Sequence, residues 1–133
     1  MLSADNELSQ YDQDIVSSWQ EVTKRSQLTL WILLVLHRGA GDMACIKEGI
    51  EALSCGVVSA DDKSMYRALR RFEDIELIES RAEKSPNGPD KKVFTLTGRG
   101  GRVLRAYIKE CIEPTYLNIN VVALMKGISG EKN

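Results

Sequence analysis

The stretch that most constrains this chain runs from residue 77 to 97, where "LIESRAEK" and "KKVFTLT" flank "SPNGPD". Pro, Asn and Gly supply the backbone angles of a tight connection, and the flanking runs have the length and content of short strands, so the segment predicts a β-hairpin. A lone two-stranded hairpin is marginal in water and needs a helical surface to cover one face. The rest of the sequence must therefore supply helices.

It does. Leu8, Tyr11, Ile15, Trp19 and Val22 recur every three or four positions and predict an amphipathic N-terminal helix. A second helix is expected from about Ser26 to His37, apolar on nearly all sides and stopped at Gly39. A third, "DMACIKEGIEAL", has Asp42 as its N-cap with Met43, Ile46, Ile50 and Leu53 inward. "SADD" reads as a capping box with Ser59 at the cap, opening a fourth helix from Ala60 to about Ile75. After the hairpin, Thr97 is placed to cap a last helix, "GRGGRVLRAYIKECIE", which Pro114 should kink or interrupt before "TYLNINVVALMKG" resumes the apolar pattern. The expected organisation is an N-terminal helix over 1–25, a central domain over 26–97, and a C-terminal helix and tail over 98–133.

Composition excludes several classes. The longest apolar run, "LWILLVL" at 30–36, is far too short to span a bilayer, and no cleavable leader opens the chain, so a cytoplasmic protein without a membrane partner is expected. Cys45, Cys55 and Cys111 lack CxxC spacing, and the single His37 cannot complete a zinc set, so neither metal nor cofactor is expected. "GRGGR" lacks the Lys-Ser/Thr of a phosphate-binding loop, Asp61 and Asp62 suit the first turn of a helix, and no serine or cysteine sits in a nucleophile motif. Nothing points to an enzyme.

Charge is unevenly spread. Residues 1–60 hold eight acids against four bases, whereas residues 81–109 hold eight bases against two acids, within a net charge of -1. Such asymmetry leaves room for a basic surface suited to a polyanion. On the fourth helix, a 100° step sends Met65, Leu69 and Phe72 inward and Lys63, Arg67, Arg70 and Asp74 outward, with Ser64, Tyr66 and Arg71 on the flanks.

Helices, a two-stranded hairpin, then a helix is the order of a winged helix-turn-helix, here mainly α with an added N-terminal helix and a C-terminal dimerisation helix. In that architecture the helix before the hairpin enters the major groove. "SMYRALRRFEDIELIES" and "GPDKKVFTLTGRGGR" resemble the corresponding segments of the PadR family of transcriptional regulators, with Ser64, Tyr66, Leu69, Arg71, Glu73, Leu77, Gly88, Pro89, Leu96 and Thr97 at family positions. Weaker similarity covers roughly residues 19–110. The resemblance implies a homodimeric, DNA-binding repressor. Three departures stand out: "GDMACI" replaces the family's usual opening of its second helix, Asp90 stands where a base is frequent, and Glu76 stands where a Gly commonly precedes the wing. A left-handed cap at a non-Gly residue costs about 1 kcal/mol, so the turn at Glu76 is expected to be built differently.

Double-stranded DNA is thus the expected partner. Lys63, Arg67 and Arg70 would contact bases or phosphates, Ser64 and Tyr66 would reach out with free hydroxyls, and Lys84, Asn87, Lys91 and Lys92 would place the wing on the backbone. Against this stands a solvated helix face with pairs such as Arg70 and Asp74, and a hairpin whose lysines merely protect its edge. Leu104, Tyr107, Ile108, Cys111 and Ile112 are expected to meet a second copy. Trp19 and Trp31 pack in the core or line a pocket for a small aromatic effector, of the kind that members of the resembling family answer to. The alternative function is a winged-helix module that binds a protein partner and no DNA.

Overall fold

The computed structural model describes residues 7–130. Its elements are α1 (Gln10–Arg38), α2 (Met43–Leu53), α3 (Asp62–Asp74), β1 (Ile78–Glu83), β2 (Lys91–Leu96), α4 (Gly98–Tyr107), a π-helical turn (Ile108–Ile112), α5 (Glu113–Tyr116) and α6 (Ile119–Ser129). Two compact units emerge from the packing. One is Ser26–Arg105; the other takes in the described residues before Ser26 and from Ala106 onward.

The two helices expected on either side of Ser26 are one helix, α1, of 29 residues. Between Trp19 and Trp31 there is no Pro, no Gly and no capping break, and Lys24, Arg25 and Gln27 are good helix formers, so nothing in the chain stops propagation. In the unit Ser26–Arg105, α1 contributes Ile32, Leu33 and Leu36 to a core shared with Ile46 and Ile50 of α2, Met65, Ala68, Leu69 and Phe72 of α3, Ile78, Val93 and Phe94 of the hairpin, and Leu104 of α4. Helix α3 starts two residues later than the Ser59 box predicts. Asp61 is the cap, its Oδ1 accepting the Ser64 N–H at 2.7 Å. A carboxylate answers both the free N–H groups and the positive end of the helix, which a serine hydroxyl does less well.

The hairpin forms as expected. β1 and β2 pair antiparallel from Ile78 opposite Leu96 to Glu83 opposite Lys91, leaving residues 84–90 as the connection. Its root is closed on two sides. Gly41 and Phe94 exchange both backbone hydrogen bonds, at 3.1 and 2.9 Å, so the α1–α2 connection adds a third short rung to β2. On the other side, Thr97 Oγ1 accepts the Gly100 N–H at 2.9 Å and lies 2.9 Å from the Glu76 carbonyl and 3.0 Å from that of Leu77, capping α4 against the start of β1. A side chain at position 100 would place its Cβ 2.0 Å from the Leu77 oxygen, so only glycine permits this approach.

Glu76 overturns one expectation. It does adopt the left-handed conformation, φ 62°. The Leu77 N–H donates to the Phe72 carbonyl at 2.9 Å and the Glu76 N–H to the Glu73 carbonyl at 3.0 Å, the bonding pattern of a Schellman end, with buried Phe72 and Leu77 on either side of the turn. These bonds and that burial outweigh the roughly 1 kcal/mol steric cost of a side chain there.

Pro114 does not interrupt the helix. The turn before it widens, with the Glu113 N–H donating to the Ile108 carbonyl five residues back, and α5 carries the proline in its first turn. A proline lacks its own N–H and crowds the carbonyl four residues earlier, and a π-turn relieves both. The break comes at Leu117, after which Asn118 Oδ1 accepts from the N–H groups of Asn120 and Val121 at 2.9 and 3.2 Å and opens α6.

Candidate nucleic-acid interface

Helix α3 presents two faces. Met65, Ala68, Leu69 and Phe72 are buried, while Lys63, Ser64, Tyr66, Arg67 and Arg70 are exposed. Arg70 and Asp74 form no ion pair. Ser64 is less available than its flank position suggests, because its hydroxyl lies 3.3 Å from Asp61 Oδ2 while its N–H bonds the same carboxylate. The bonds from the Ser64 N–H and hydroxyl hold the Asp61 carboxyl below its ordinary range. Asp62 is engaged too, by Lys47 of α2 at 2.6 Å.

Between α3 and β2 lies an open cleft of about 320 Å³ lined by Tyr66, Arg67, Arg70, Glu73, Lys92 and Phe94, with Leu69 behind them. Lys92 Nζ donates to Glu73 Oε1 at 3.1 Å and stands 5.4 Å from the centre of the Phe94 ring. Ser80 Oγ donates to the other carboxylate oxygen at 2.7 Å. Burial pushes the Glu73 carboxyl up, but the Ser80 and Lys92 bonds and the charges of Lys92 and Arg70 outweigh it, and the net direction is down.

Lys91 and Lys92, expected to place the wing on the DNA backbone, both reach acidic groups of their own unit. Lys91 Nζ is 3.9 Å from Asp42 Oδ2, and that carboxylate also accepts the Cys45 N–H at 2.9 Å as the cap of α2. The Cys45 bond is the main reason the Asp42 carboxyl lies below its ordinary value. Lys84 and Asn87 are exposed in the loop 84–90, with no ion pair to Lys84 among the described residues. Glu73 and Ser80 organise the cleft, and no periodicity in the sequence points to either. The only sequence signal for Glu73 is its place in the resemblance.

The residues expected at a dimer contact divide. Leu104 is 3% exposed and belongs to the core of Ser26–Arg105, because the cap at Thr97 and the glycine at 100 draw α4 onto the root of the hairpin, so it is not free to meet another copy. Tyr107, Ile108 and Ile112 are half-buried and Cys111 is exposed. Beyond them Tyr116, Leu117, Ile119, Leu124, Met125 and Ile128 are exposed. Trp19 is 68% exposed, while Trp31 is half-buried with an indole N–H that is buried and has no hydrogen-bond partner. Trp19 and Trp31 stand twelve positions apart in the sequence of α1. Among the described residues no group of acidic, histidine and cysteine side chains could hold a metal ion, and no helix is long and apolar enough to cross a membrane.

The profile of the transcriptional regulator PadR-like family matches residues 32–106. A PadR family transcriptional regulator from Eggerthella lenta is similar in structure with a TM-score of 0.63 at 23% identity, over 94% of this chain and all of that one. A transcriptional regulator from Clostridium thermocellum gives 0.65 at 20% identity, over 74% of this chain and 94% of its own. PadR of Bacillus subtilis, solved in complex with operator DNA, gives 0.56 at 25% identity over 61% of this chain and 46% of its own. No curated protein matches.

Proposed function

This chain belongs to the PadR-like family of transcriptional regulators, which are not enzymes, and on that footing we propose that it is a homodimeric repressor that grips operator DNA with α3 and the hairpin. The observation that carries the reading is the face of α3 formed by Lys63, Tyr66, Arg67 and Arg70, exposed opposite a buried apolar face and followed by the hairpin. Arg67 and Arg70 are suited to guanine edges or phosphates, and Tyr66 to a phosphate oxygen. Lys84 and Asn87 make the outer wing contact, with Lys91 and Lys92 nearer the body. That a relative of the same fold was solved with operator DNA supports this assignment.

A second copy is the occupant proposed for the exposed apolar side chains of α6 and the N-terminal part of α1. A C2 dimer would present two α3 helices to the two halves of a pseudo-palindromic site. Release by a small aromatic effector is part of the proposal, and the unpartnered Trp31 N–H would donate to an acceptor on such a molecule. The cytoplasm is the compartment where such a repressor meets DNA. The test is whether the purified chain retards its own promoter fragment, and not an unrelated fragment, at moderate salt. Arg67→Ala with Arg70→Ala should leave folding intact and weaken specific binding by about 1 to 3 kcal/mol for each arginine that grips a base edge bidentately. Unchanged affinity of the double variant in an anisotropy titration would remove α3 from the interface.

A second reading, a module that binds a protein instead of DNA, is favoured by the intradomain ion pairs of Lys91 and Lys92 and by Asp90 beside them. Absence of any promoter retardation would favour it.

A further inference from the structure

The cleft between α3 and β2 sets one carboxylate, Glu73, among Arg67, Arg70 and Lys92. On a surface that meets a polyanion, charge alone makes Glu73 unfavourable, since it repels every phosphate alike. Its bonding suggests another role. One of its oxygens is held by Ser80 at 2.7 Å and the other accepts from Lys92 at 3.1 Å, so both anchor points of the carboxylate lie on the hairpin while the residue itself belongs to α3. Lys92 Nζ is further placed by the Phe94 ring at 5.4 Å. A lysine ammonium has three donors, and the bond to Glu73 uses one. Two remain for an incoming oxygen while Glu73 stays in place. A free lysine would have to give up rotamer entropy on meeting a phosphate, and one already held by a carboxylate and a ring gives up less.

We propose that Glu73 is a positioning residue for DNA binding: it holds Lys92 of the hairpin against α3, so that Lys92, Arg70 and Tyr66 meet one backbone phosphate of the operator as a single preformed group. This rests on the DNA-binding reading above. The consequence is an exchange of general attraction for register. The phosphate bound in the cleft is located relative to α3 itself, and it is therefore accepted only where α3 is also seated on its bases.

Glu73→Gln is the test, because it keeps the side chain's size and an oxygen for Ser80 while removing the charge that fixes Lys92. Affinity is measured by anisotropy for a duplex selected by the protein from a random-sequence pool and for a scrambled duplex of equal length. A positioning role predicts that the ratio of the two affinities falls about tenfold, the value of one charge-assisted hydrogen bond, with binding to the scrambled duplex unchanged or tighter. It also predicts that Glu73→Gln has no further effect on the ratio in a Lys92→Ala background. Equal tightening on both duplexes would show that Glu73 is only a background charge and would overturn the proposal, as would an undiminished effect in the Lys92→Ala background. Should Glu73→Gln fail to fold, Lys92→Met, which retains the stem of an exposed side chain, must itself lower the ratio; an unchanged ratio overturns the proposal equally. A native chain that binds neither duplex overturns the DNA-binding reading and this role with it, whereas a native chain that discriminates between them leaves only the role of Glu73 at stake.

Discussion

The two units of this chain are made of similar residues and treat them in opposite ways. In Ser26–Arg105, apolar side chains from three helices, the hairpin and α4 close on one another, and this unit contains every buried side chain among the described residues. In the other unit no described residue is buried, and Ile119, at 80% exposed, and Leu117, at 66%, stand in solvent. The mean character of α6 is as apolar as that of a core helix, yet none of its residues is fully buried among the described residues. A region that closes on itself carries its stability within one chain, whereas one that leaves such side chains open is, on the proposed dimer, stabilised by association. The same kind of substitution should therefore read out as loss of folding in one unit and loss of association in the other.

The sharpest way to break this contrast is Leu124→Glu with Ile128→Glu, two exposed residues one turn apart on α6. Burial against a second copy at about 1.5 to 3 kcal/mol per side chain makes the expected loss about 3 to 6 kcal/mol of association, a rise of roughly 10² to 10⁴ in the dimer dissociation constant. Sedimentation equilibrium reads it, and unchanged association would mean that this surface is not the interface. In the closed unit, Gly100→Ala drives a methyl group into the Leu77 carbonyl. A loss of about 3 kcal/mol is expected in urea unfolding, at the upper end of overpacking costs because the obstacle is backbone. A variant as stable as the native chain would show that α4 can lift away from the hairpin root.

Acid should act on the closed unit as well. Asp42 and Glu73 both have carboxyls held below their ordinary values, the first chiefly by the Cys45 N–H, the second by Ser80 and Lys92 against the opposing effect of burial. A lowered folded value means that the contribution is present above the unfolded pKa and is lost as pH falls through the folded one. Asp42→Ala should cost about 0.5 to 2 kcal/mol at pH 7, the usual value of a helix cap, and the difference from the native chain should shrink progressively below about pH 4. A pH-independent difference would mean that the cap acts through shape and not through charge. The smallest effect is a gain: Glu76→Gly removes a left-handed side chain and should stabilise the unit by up to about 1 kcal/mol in thermal unfolding. Destabilisation there would show that Arg99, 3.8 Å from the Glu76 carboxylate, matters more than the backbone.

The legible parts of the structure are those set by local signals. The turn residues of "SPNGPD" and the strand-forming runs beside them predict a hairpin that forms at nearly those positions, and the helical period of α3 predicts which of its side chains face inward. Where the expectations fail, the deciding contact lies far off in sequence. A stripe containing Leu104 shows that it will be covered but not by what, and the answer depends on Gly100 meeting the Leu77 carbonyl. Lys92 reaches Glu73 across 19 positions because the hairpin lies along α3, which no periodicity encodes. Glu76 shows the reverse case: a residue whose own preference opposes its conformation is carried into it by the bonds of its neighbours.

The double hydrogen bond between Gly41 and Phe94 bears on how quickly different parts of the hairpin exchange with water. Phe94 N–H is locked at 2.9 Å on the far side of β2 from β1, two residues from the root, whereas residues 84–90 lie beyond the last rung of the ladder at Glu83 and Lys91. Deuterium should enter the tip first and the Phe94 amide only on global opening, so the hairpin is a hinge-free cantilever whose unsettled length is seven residues. When such a tip settles on a partner, only that length has its backbone freedom restricted, at about 1 to 2 kcal/mol per residue fixed. The fixed root thus sets a ceiling on the entropy the wing can lose, however long the complex lasts.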